Sequence, residues 1–360
     1  MKSTEADFLS LLRLGINREA KPILQDVEWE IVLNIAAQHG LSGVLFDGIE
    51  RLPEYLRPSK DVLLQWIGTT LESESVQAMQ QKAAEEMARL FHKNGIRTYV
   101  LKGDVIAECY PKPLHRVSSD MDCYLMMEKD STEDSHQKAW KLGNDLIRAA
   151  GYLIDDDYYK NSGFELPGLI VENHQYMTPF RGNKRLRSLE LVLQSMMKAD
   201  KGENVFEGSY LYRPPVMASA LFMIEHAYSH FLHEGLTWRM ILDWKLFGEK
   251  HHSEIDWDSL IAMIDEFGLR KFYDSYKRLG KYLIGEVAEI DLSDADRMML
   301  SDVWAPLDLH ENLYGLKAKI NLAGNTWRAR WKYKHFAEIS WIEALWIQVK
   351  GFLFIRHPKI

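Results

Sequence analysis

Two aspartates separated by one residue, Asp120 and Asp122, open an apolar run that is typical of a β-strand. Side chains alternate along a strand, so both carboxylates should project from the same face, about 6–7 Å apart. Two carboxylates this close repel each other unless cations lie between them. Hard oxygen ligands together with phosphate oxygens are the usual surroundings of Mg²⁺. The pair therefore predicts a site for divalent cations and a phosphorylated ligand.

A second group of residues precedes the aspartates. The run Tyr99–Leu101 has the composition of a strand and ends in Lys102 and Gly103, after which residues 104–110 are compatible with a helix. A glycine at this point lets the backbone approach a phosphate, with the N–H groups of the next helix directed at it. Lys102 is either a charge beside that phosphate or a solvated lysine at the end of a strand.

The turn before the aspartates carries Arg116, Ser118 and Ser119. The planar guanidinium of Arg116 suits a phosphate, and an equally simple interpretation is that it only neutralises the acid pair. The two serine hydroxyls either donate to phosphate or satisfy the turn itself. With Lys102 and Gly103, these three residues are the predicted phosphate-binding set.

The order of these elements is more informative than the D-x-D triplet, because a chain with 52 acidic residues among 360 contains several such triplets by chance. The order is strand, K-G, helix, R-x-S-S-D-x-D, strand. It resembles the DNA polymerase β-like nucleotidyltransferase superfamily. More closely, it is similar to a bacterial family of uncharacterised nucleotidyltransferases that carry L-K-G and R-x-x-x-D-x-D. The resemblance is sharp over residues 96–127, and it implies a nucleotidyltransferase fold, an NTP substrate and two Mg²⁺ ions, for which Mn²⁺ can substitute.

The resemblance also implies a third carboxylate on a neighbouring strand. Residues 186–193 alternate leucines with other side chains, which predicts a strand with Glu190 on the face opposite the leucines. We therefore expect Glu190 to complete the metal site with Asp120 and Asp122 and to accept the proton of an attacking hydroxyl. The alternative is an exposed glutamate on an edge strand.

Three further residues are candidates for contacts to the acceptor or the nucleotide. His174 lies among the β-like segments that precede Glu190, where it either lines the cleft or is a buried structural histidine. Arg239 and Asp243 are four residues apart on a predicted helix. The resemblance places such a pair where the helical part faces the cleft, so it forms either a structural clasp or a substrate contact.

The composition limits the kinds of partner and the cellular location that we expect. A net charge of −8 argues against a large nucleic-acid surface, which is normally basic. Uninterrupted apolar runs are too short for a transmembrane helix. The N-terminus has acids where a signal peptide needs basic residues and a long apolar segment. With only two cysteines, we expect a cytoplasmic protein with reduced thiols, and its oligomeric state stays open.

The predicted fold is α+β, with a small mixed sheet of four or five strands between helical parts. Residues 1–78 form an N-terminal helical segment, 79–200 the nucleotidyltransferase core, and 201–360 a helical C-terminal domain. The tail from residue 326 interleaves basic residues with tryptophans, which suits a membrane surface or nucleic acid. Its apolar stripe of Ile342, Leu345, Trp346, Val349 and Leu353 is interpreted more simply as a face that docks onto the protein.

Together these features predict a Mg²⁺-dependent nucleotidyltransferase that moves a nucleoside monophosphate from an NTP to an acceptor hydroxyl and releases pyrophosphate. The acceptor stays open among a sugar or antibiotic, a protein side chain and, least favoured, an RNA end. One alternative is a catalytically inactive nucleotide-binding or interaction module on the same fold. Another is a zinc hydrolase built on His226 and His230, although packed histidines are the simpler interpretation of that pair.

Overall fold

A computed structural model of the chain describes residues 3–17, 19–24, 27–130, 132, 134–156, 158–305 and 327–354. Helices dominate these residues, and a single mixed sheet lies among them, which confirms the predicted α+β class. The described α-helices are α1 (Ser3–Ile16), α2 (Trp29–Gln38), α3 (Ser42–Glu50), α4 (Lys60–Lys93), α5 (Asp104–Ala107), α6 (Ser135–Ala149), α7 (Lys184–Ala199), α8 (Val216–His233), α9 (Trp238–Lys250), α10 (Trp257–Glu266), α11 (Arg270–Leu283), α12 (Asp294–Val303), α13 (Arg330–Phe336) and α14 (Trp341–Phe354).

The sheet has six strands, one more than the upper end of the prediction, because it includes two-residue strands at both edges. The strand order is β3-β4-β5-β2-β1-β6. The central strand β2 is antiparallel to β1 and parallel to β5. The strands are β1 (Ile96–Val100), β2 (Asp120–Met127), β3 (Ile154–Asp155), β4 (Asn161–Leu166), β5 (Leu169–His174) and β6 (Leu211–Tyr212).

Alternation along β2 separates an apolar face from a face that carries the acids. Cys123 and Leu125 belong to an apolar cluster with Phe91 of α4 and Ile147 of α6, which covers one face of the sheet. Tyr124 belongs instead to the larger cluster, which also contains side chains from α8 and α9. Asp120 and Asp122 have the same parity as Tyr124, so they project toward the C-terminal helices.

The helices from the two ends of the chain share this larger cluster. Its members include Phe8 of α1 and Val44 of α3 as well as Phe231 of α8 and Trp238 of α9. The long helix α4 continues from Lys60 to Lys93, across the predicted boundary at residue 78. The division into segments 1–78, 79–200 and 201–360 stays a prediction.

The predicted strand at residues 186–193 is wrong, because these residues lie in helix α7. Asn183 caps that helix, and its side chain accepts hydrogen bonds from the backbone N–H groups of Arg185 and Leu186. Leu189 and Leu193 are both buried, and they lie four residues apart on one helix face. The leucines of residues 186–193 fit the spacing of a helix as well as that of a strand. The cap at Asn183 favours the helix.

The predicted docking stripe on the tail is also wrong for the residues that the structure describes. Ile342 and Trp346 of α14 are 61% and 59% exposed, whereas Ala344 is buried. The side chain of Leu353 lies outside the described residues. No helix in the described part of the chain combines the length and the apolar character needed to cross a membrane.

Candidate active site

The site is built on the parallel pairing of β2 with β5. In this register Asp122 lies beside Glu172, and Tyr124 lies beside His174, so the acids and the histidine share one face. The ligand atoms of Asp122, Glu172 and His174 all lie within 4.8 Å of one another. The Nε2 atom of His174 is 2.9 Å from Asp122 Oδ1 and 3.5 Å from Glu172 Oε2. Two strands therefore bring together two carboxylates and an imidazole from distant parts of the sequence.

Asp122 is almost fully buried, and cations surround it. The Nζ atom of Lys102 is 2.8 Å from Asp122 Oδ2, on the side of the carboxylate away from His174. Burial alone would raise the pKa of Asp122, but the charges of Lys102 and His174 hold it well below its usual range. The carboxylate is therefore ionised at neutral pH, with Lys102 beside one oxygen and His174 beside the other.

His174 fits this arrangement in its protonated form. Its Nδ1 atom lies 3.2 Å from the carbonyl oxygen of Tyr176, and Nε2 faces Asp122, so both nitrogens meet acceptors. Burial would lower the pKa of His174, but Asp122 and Glu172 raise it above its ordinary value. Both contacts suit a protonated ring, which would orient Asp122, and the carboxylates supply the anionic ligand atoms. His174 is fully buried, as the alternative of a structural histidine expects, and a contact with a substrate stays a prediction.

Lys102 reaches the site because the chain turns sharply after it. Gly103 has φ of +73°, a conformation that L side chains rarely adopt, and it precedes α5. The Lys102 ammonium also donates to His226 Nε2 at 2.8 Å. Burial, followed by the charge of Lys102, keeps the pKa of His226 well below its ordinary value, so this ring is neutral and accepts the hydrogen bond.

The guanidinium of Arg116 is bound inside the fold. Its Nε and Nη2 atoms donate to the two carboxylate oxygens of Asp243 at 2.9 and 2.8 Å, and Tyr110 donates to the same carboxylate at 2.6 Å. Arg116 therefore neutralises Asp243 of α9 rather than the acid pair. Its Nη1 atom is buried without a hydrogen-bond partner among the described residues. A phosphate contact through that nitrogen stays a prediction.

Asp243 forms a clasp, but with a different arginine from the one expected. Arg239, one turn earlier on α9, donates from Nη1 to the carbonyl oxygen of Val117 at 2.7 Å. Both residues of the predicted pair therefore hold the turn before β2, and Arg116 is the direct partner of Asp243. The clasp joins the acid-bearing strand to the C-terminal helices.

The two serines before β2 satisfy the turn. Ser118 donates to the backbone oxygen of Asp120 at 3.0 Å, and Ser119 donates to the Asp120 carboxylate at 3.0 Å. Asp120 is half-buried and shares the face of Asp122, although it is not one of the three residues grouped within 4.8 Å. The serine hydroxyls thus fix the start of the strand and one orientation of Asp120.

Glu190 is not one of the residues grouped with Asp122. It is fully buried on α7, where one oxygen accepts from the backbone N–H of Thr178 and the other from the Gln194 amide, both at 2.8 Å. Burial raises the pKa of Glu190, although these donors oppose the rise. The described residues grouped around Asp122 include Glu172 and do not include Glu190.

Glu172 is the carboxylate that the sequence interpretation overlooked. The sequence does contain a signal for it, since Glu172 and His174 follow a clear apolar strand and have strand spacing, which places them on one face. Asn161 of the neighbouring strand β4 donates to Glu172 Oε2 at 2.6 Å. The hydrogen bond with His174 lowers the pKa of Glu172 against the effect of burial.

The zinc alternative finds no support in the part of the chain that the structure describes. His226 Nε2 accepts from Lys102, and His230 Nδ1 lies 2.8 Å from Glu234. The group of potential metal ligands among these residues contains neither histidine.

Comparison with known proteins identifies a family for this chain. A family model described as an uncharacterised nucleotidyltransferase matches residues 25–285. That match covers more than half of the chain, and the chain belongs to this family. No curated protein and no solved structure matches the chain.

Proposed function

We propose that the protein is a metal-dependent nucleotidyltransferase that moves a nucleoside monophosphate from an NTP to an acceptor hydroxyl and releases pyrophosphate. The observation that carries the proposal is the pairing of Asp122 with Glu172 on adjacent parallel strands, with Asp120 on the same face of β2. Family membership and the Lys102-Gly103 turn beside these acids support it.

The donor set fits hard divalent cations. Asp120, Asp122 and Glu172 offer carboxylate oxygens on one face, which are the ligands that Mg²⁺ and Mn²⁺ prefer. We assign the third carboxylate to Glu172 in place of Glu190. When bound, two such ions would activate the attacking hydroxyl and stabilise charge on the leaving group.

The remaining residues of the site would bind and orient the triphosphate. Lys102 is within reach of Asp122 and His226, so its ammonium would turn to the phosphates once cations occupy Asp122. The backbone at Gly103 and the Nη1 atom of Arg116, which has no hydrogen-bond partner among the described residues, would supply further donors. His174 would keep Asp122 in place through the hydrogen bond to Oδ1.

The test is pyrophosphate release from each of the four NTPs with Mg²⁺ or Mn²⁺, with sugars, proteins and RNA offered as acceptors. We expect release by the wild type, and none above background by Asp122→Asn or Glu172→Gln. The rival, an inactive nucleotide-binding module, predicts ATP binding without release of pyrophosphate by any of the three proteins.

Three further assignments belong to this proposal. The net charge of −8 favours a small-molecule or protein acceptor over nucleic acid. We place the protein in the cytoplasm, where its two free thiols, Cys109 and buried Cys123, would stay reduced. We also retain the division into an N-terminal helical segment, a core and a helical C-terminal domain.

A further inference from the structure

A cavity of about 660 Å³ lies between α9, α10 and α11, among the C-terminal helices. Pockets that hold small organic ligands have this size. Its lining combines aromatic and basic side chains, namely those of Trp244, Trp257, Tyr273, Lys245, Lys277 and Lys281. None of the described residues that line it belongs to the candidate active site, so the cavity is a different site.

The aromatic side chains form one wall of the cavity. The ring of Trp244 makes edge-to-face contacts with Tyr273, at 5.7 Å between ring centroids, and with Trp257, at 6.4 Å. Such contacts stabilise the relative orientation of the rings. Trp244 and Tyr273 are buried, whereas Trp257 is only half-buried, and the hydroxyl of Tyr273 has no hydrogen-bond partner among the described residues. The wall therefore offers an open ring surface and one unused hydroxyl group.

The ammonium of Lys277 lies against this wall. Its Nζ atom is 5.7 Å from the ring centroid of Trp257 and 5.8 Å from that of Tyr273, within the range of cation–π contacts. In the part of the chain that the structure describes, no carboxylate lies within ion-pair distance of Lys277 or Lys281. Burial and the charge of Lys281 lower the pKa of Lys277, although Asp274 opposes them. An anion bound beside both ammonium groups would offset their repulsion.

The third lysine is already paired. Lys245 Nζ lies 2.9 Å from a carboxylate oxygen of Glu249 and 2.9 Å from one of Glu286, so the acid in the lining, Glu249, is neutralised. The lining thus has three lysines against one glutamate, although the chain as a whole has a net charge of −8. A cleft with an excess of one sign of charge raises the local concentration of ions of the opposite sign.

We propose that the cavity binds an organic anion that carries a flat aromatic ring system. The ring would stack on Trp257, the ammonium groups of Lys277 and Lys281 would pair with the anionic group, and the hydroxyl of Tyr273 would donate to it. A cationic ligand is disfavoured by the three lysines. Nucleoside monophosphates and aromatic carboxylates share the required chemistry. The inference is independent of the proposed nucleotidyl transfer, because its residues are not those around Asp122.

The experiment is isothermal titration of the full chain in chelator, so that no divalent cation supports binding at the candidate active site. The probes are AMP and naphthoate, which carry a phosphate and a carboxylate, with adenosine and inorganic phosphate as the separate halves of AMP. We expect AMP or naphthoate to bind with a Kd of about 1 mM or lower, and adenosine and phosphate to bind at least about tenfold more weakly than AMP if AMP is the tighter ligand. The tighter of the two anions identifies the charged group.

Four variants locate the binding. Replacing Lys277 and Lys281 together by Met should weaken binding of the tighter anion by at least about tenfold, and Tyr273→Phe by about threefold or more. Lys350→Met is the matched control, because Lys350 Nζ lies 5.4 Å from the ring centroid of Trp346, outside the cavity. This control and Lys102→Met, in the candidate active site, should keep the affinity of the wild type.

Several results would overturn the inference. Failure of both anions to bind would remove the site. Adenosine or inorganic phosphate binding as tightly as AMP would show that the ring and the charge are not both required. Binding that Lys102→Met weakens, and that the double lysine variant leaves unchanged, would place the anion at the candidate active site. An affinity unchanged in Tyr273→Phe would remove the hydroxyl from the contacts. None of these results bears on the release of pyrophosphate, which tests the proposed function separately.

Discussion

The ammonium of Lys102 lies 2.8 Å from the carboxylate of Asp122, whose side chain is only 2% exposed. Like-charge repulsion between Asp120 and Asp122, which the sequence suggests, is therefore not what governs Asp122 in this structure. Its environment is dominated by cations, because His174 occupies the other oxygen. Removing the charge of Asp122 should consequently leave the partly buried ammonium of Lys102 without its anion and take from His174 the nearer of its two carboxylates.

This relationship predicts that Asp122→Asn is destabilising in the absence of metal ions. Breaking a buried ion pair from one side costs about 3–5 kcal/mol, because the remaining charge stays buried and unpaired. Urea unfolding in chelator measures the change. Asp120→Asn is the control, because Asp120 is only half-buried and accepts from Ser119, and it should cost less than about 1 kcal/mol. Equal stability of Asp122→Asn and the wild type would contradict the inferred pairing.

A second prediction separates the two candidates for the third carboxylate. Glu172→Gln should weaken binding of Mn²⁺ by at least about tenfold, or ~1.4 kcal/mol, because it removes an anionic ligand next to Asp122. Glu190→Gln should leave the affinity for Mn²⁺ unchanged, since the Glu190 oxygens already serve Thr178 and Gln194. Electron paramagnetic resonance titration of free Mn²⁺ measures both. The reverse result would restore Glu190 as the ligand.

The clasp between Arg116 and Asp243 gives a third prediction. Arg116→Lys should destabilise the protein by about 3 kcal/mol or more, because a lysine cannot donate to both carboxylate oxygens of buried Asp243. Arg270→Lys is a matched control, since Arg270 also contacts both oxygens of an aspartate, Asp274, but is exposed. It should cost less than about 1 kcal/mol. Thermal unfolding compares the two, and similar losses would show that burial does not matter at this clasp.

The fourth prediction concerns the pH dependence of stability. Burial raises the pKa of Glu225 from its ordinary value of 4.5 to about 7. A group with a raised pKa in the folded state contributes stability that is present below its unfolded pKa and is lost as the pH rises through the folded pKa. Each tenfold change in proton affinity is worth about 1.4 kcal/mol, so up to about 3 kcal/mol is lost between pH 5 and pH 8.

Urea unfolding of the metal-free wild type and Glu225→Gln at pH 5 and pH 8 measures this effect. Because glutamine does not titrate, the wild type should lose up to about 3 kcal/mol more than the variant over this interval. Parallel pH profiles for the two proteins would mean that Glu225 is not the buried titrating group.

Local patterns were sufficient to predict the first half of the site. The strand β1, the turn at Lys102 and Gly103 and the start of β2 at Asp120 follow one another closely, so composition and turn residues determine them. The strand predicted around Glu190 failed because its leucine repeat fits a helix equally well. The carboxylate that lies beside Asp122, that of Glu172, is brought there by a parallel pairing between distant strands, and single-sequence periodicity does not specify such pairings.

The partner of Asp243 in the clasp could not be predicted from local patterns either. Arg239 and Asp243 were paired in the sequence interpretation because they are one helical turn apart, whereas Asp243 contacts Arg116, 127 residues earlier in the chain. Sequence spacing alone cannot show whether Asp243 pairs with a residue on its own helix or with a side chain brought close by tertiary packing. Arg116 is the partner because its side chain is buried together with Asp243 and its guanidinium donates to both carboxylate oxygens.

The separation of Asp122 from Glu172 is set by the spacing of two neighbouring strands, which is about 4.8 Å in any sheet. The intervening chain, with α6, β3 and β4, crosses over and returns parallel to β2, so its length does not enter that separation. A loop of the crossover could therefore be lengthened or shortened without changing that separation. Such changes are confined to the loops, because β4 pairs with β5 and Asn161 of β4 donates to Glu172.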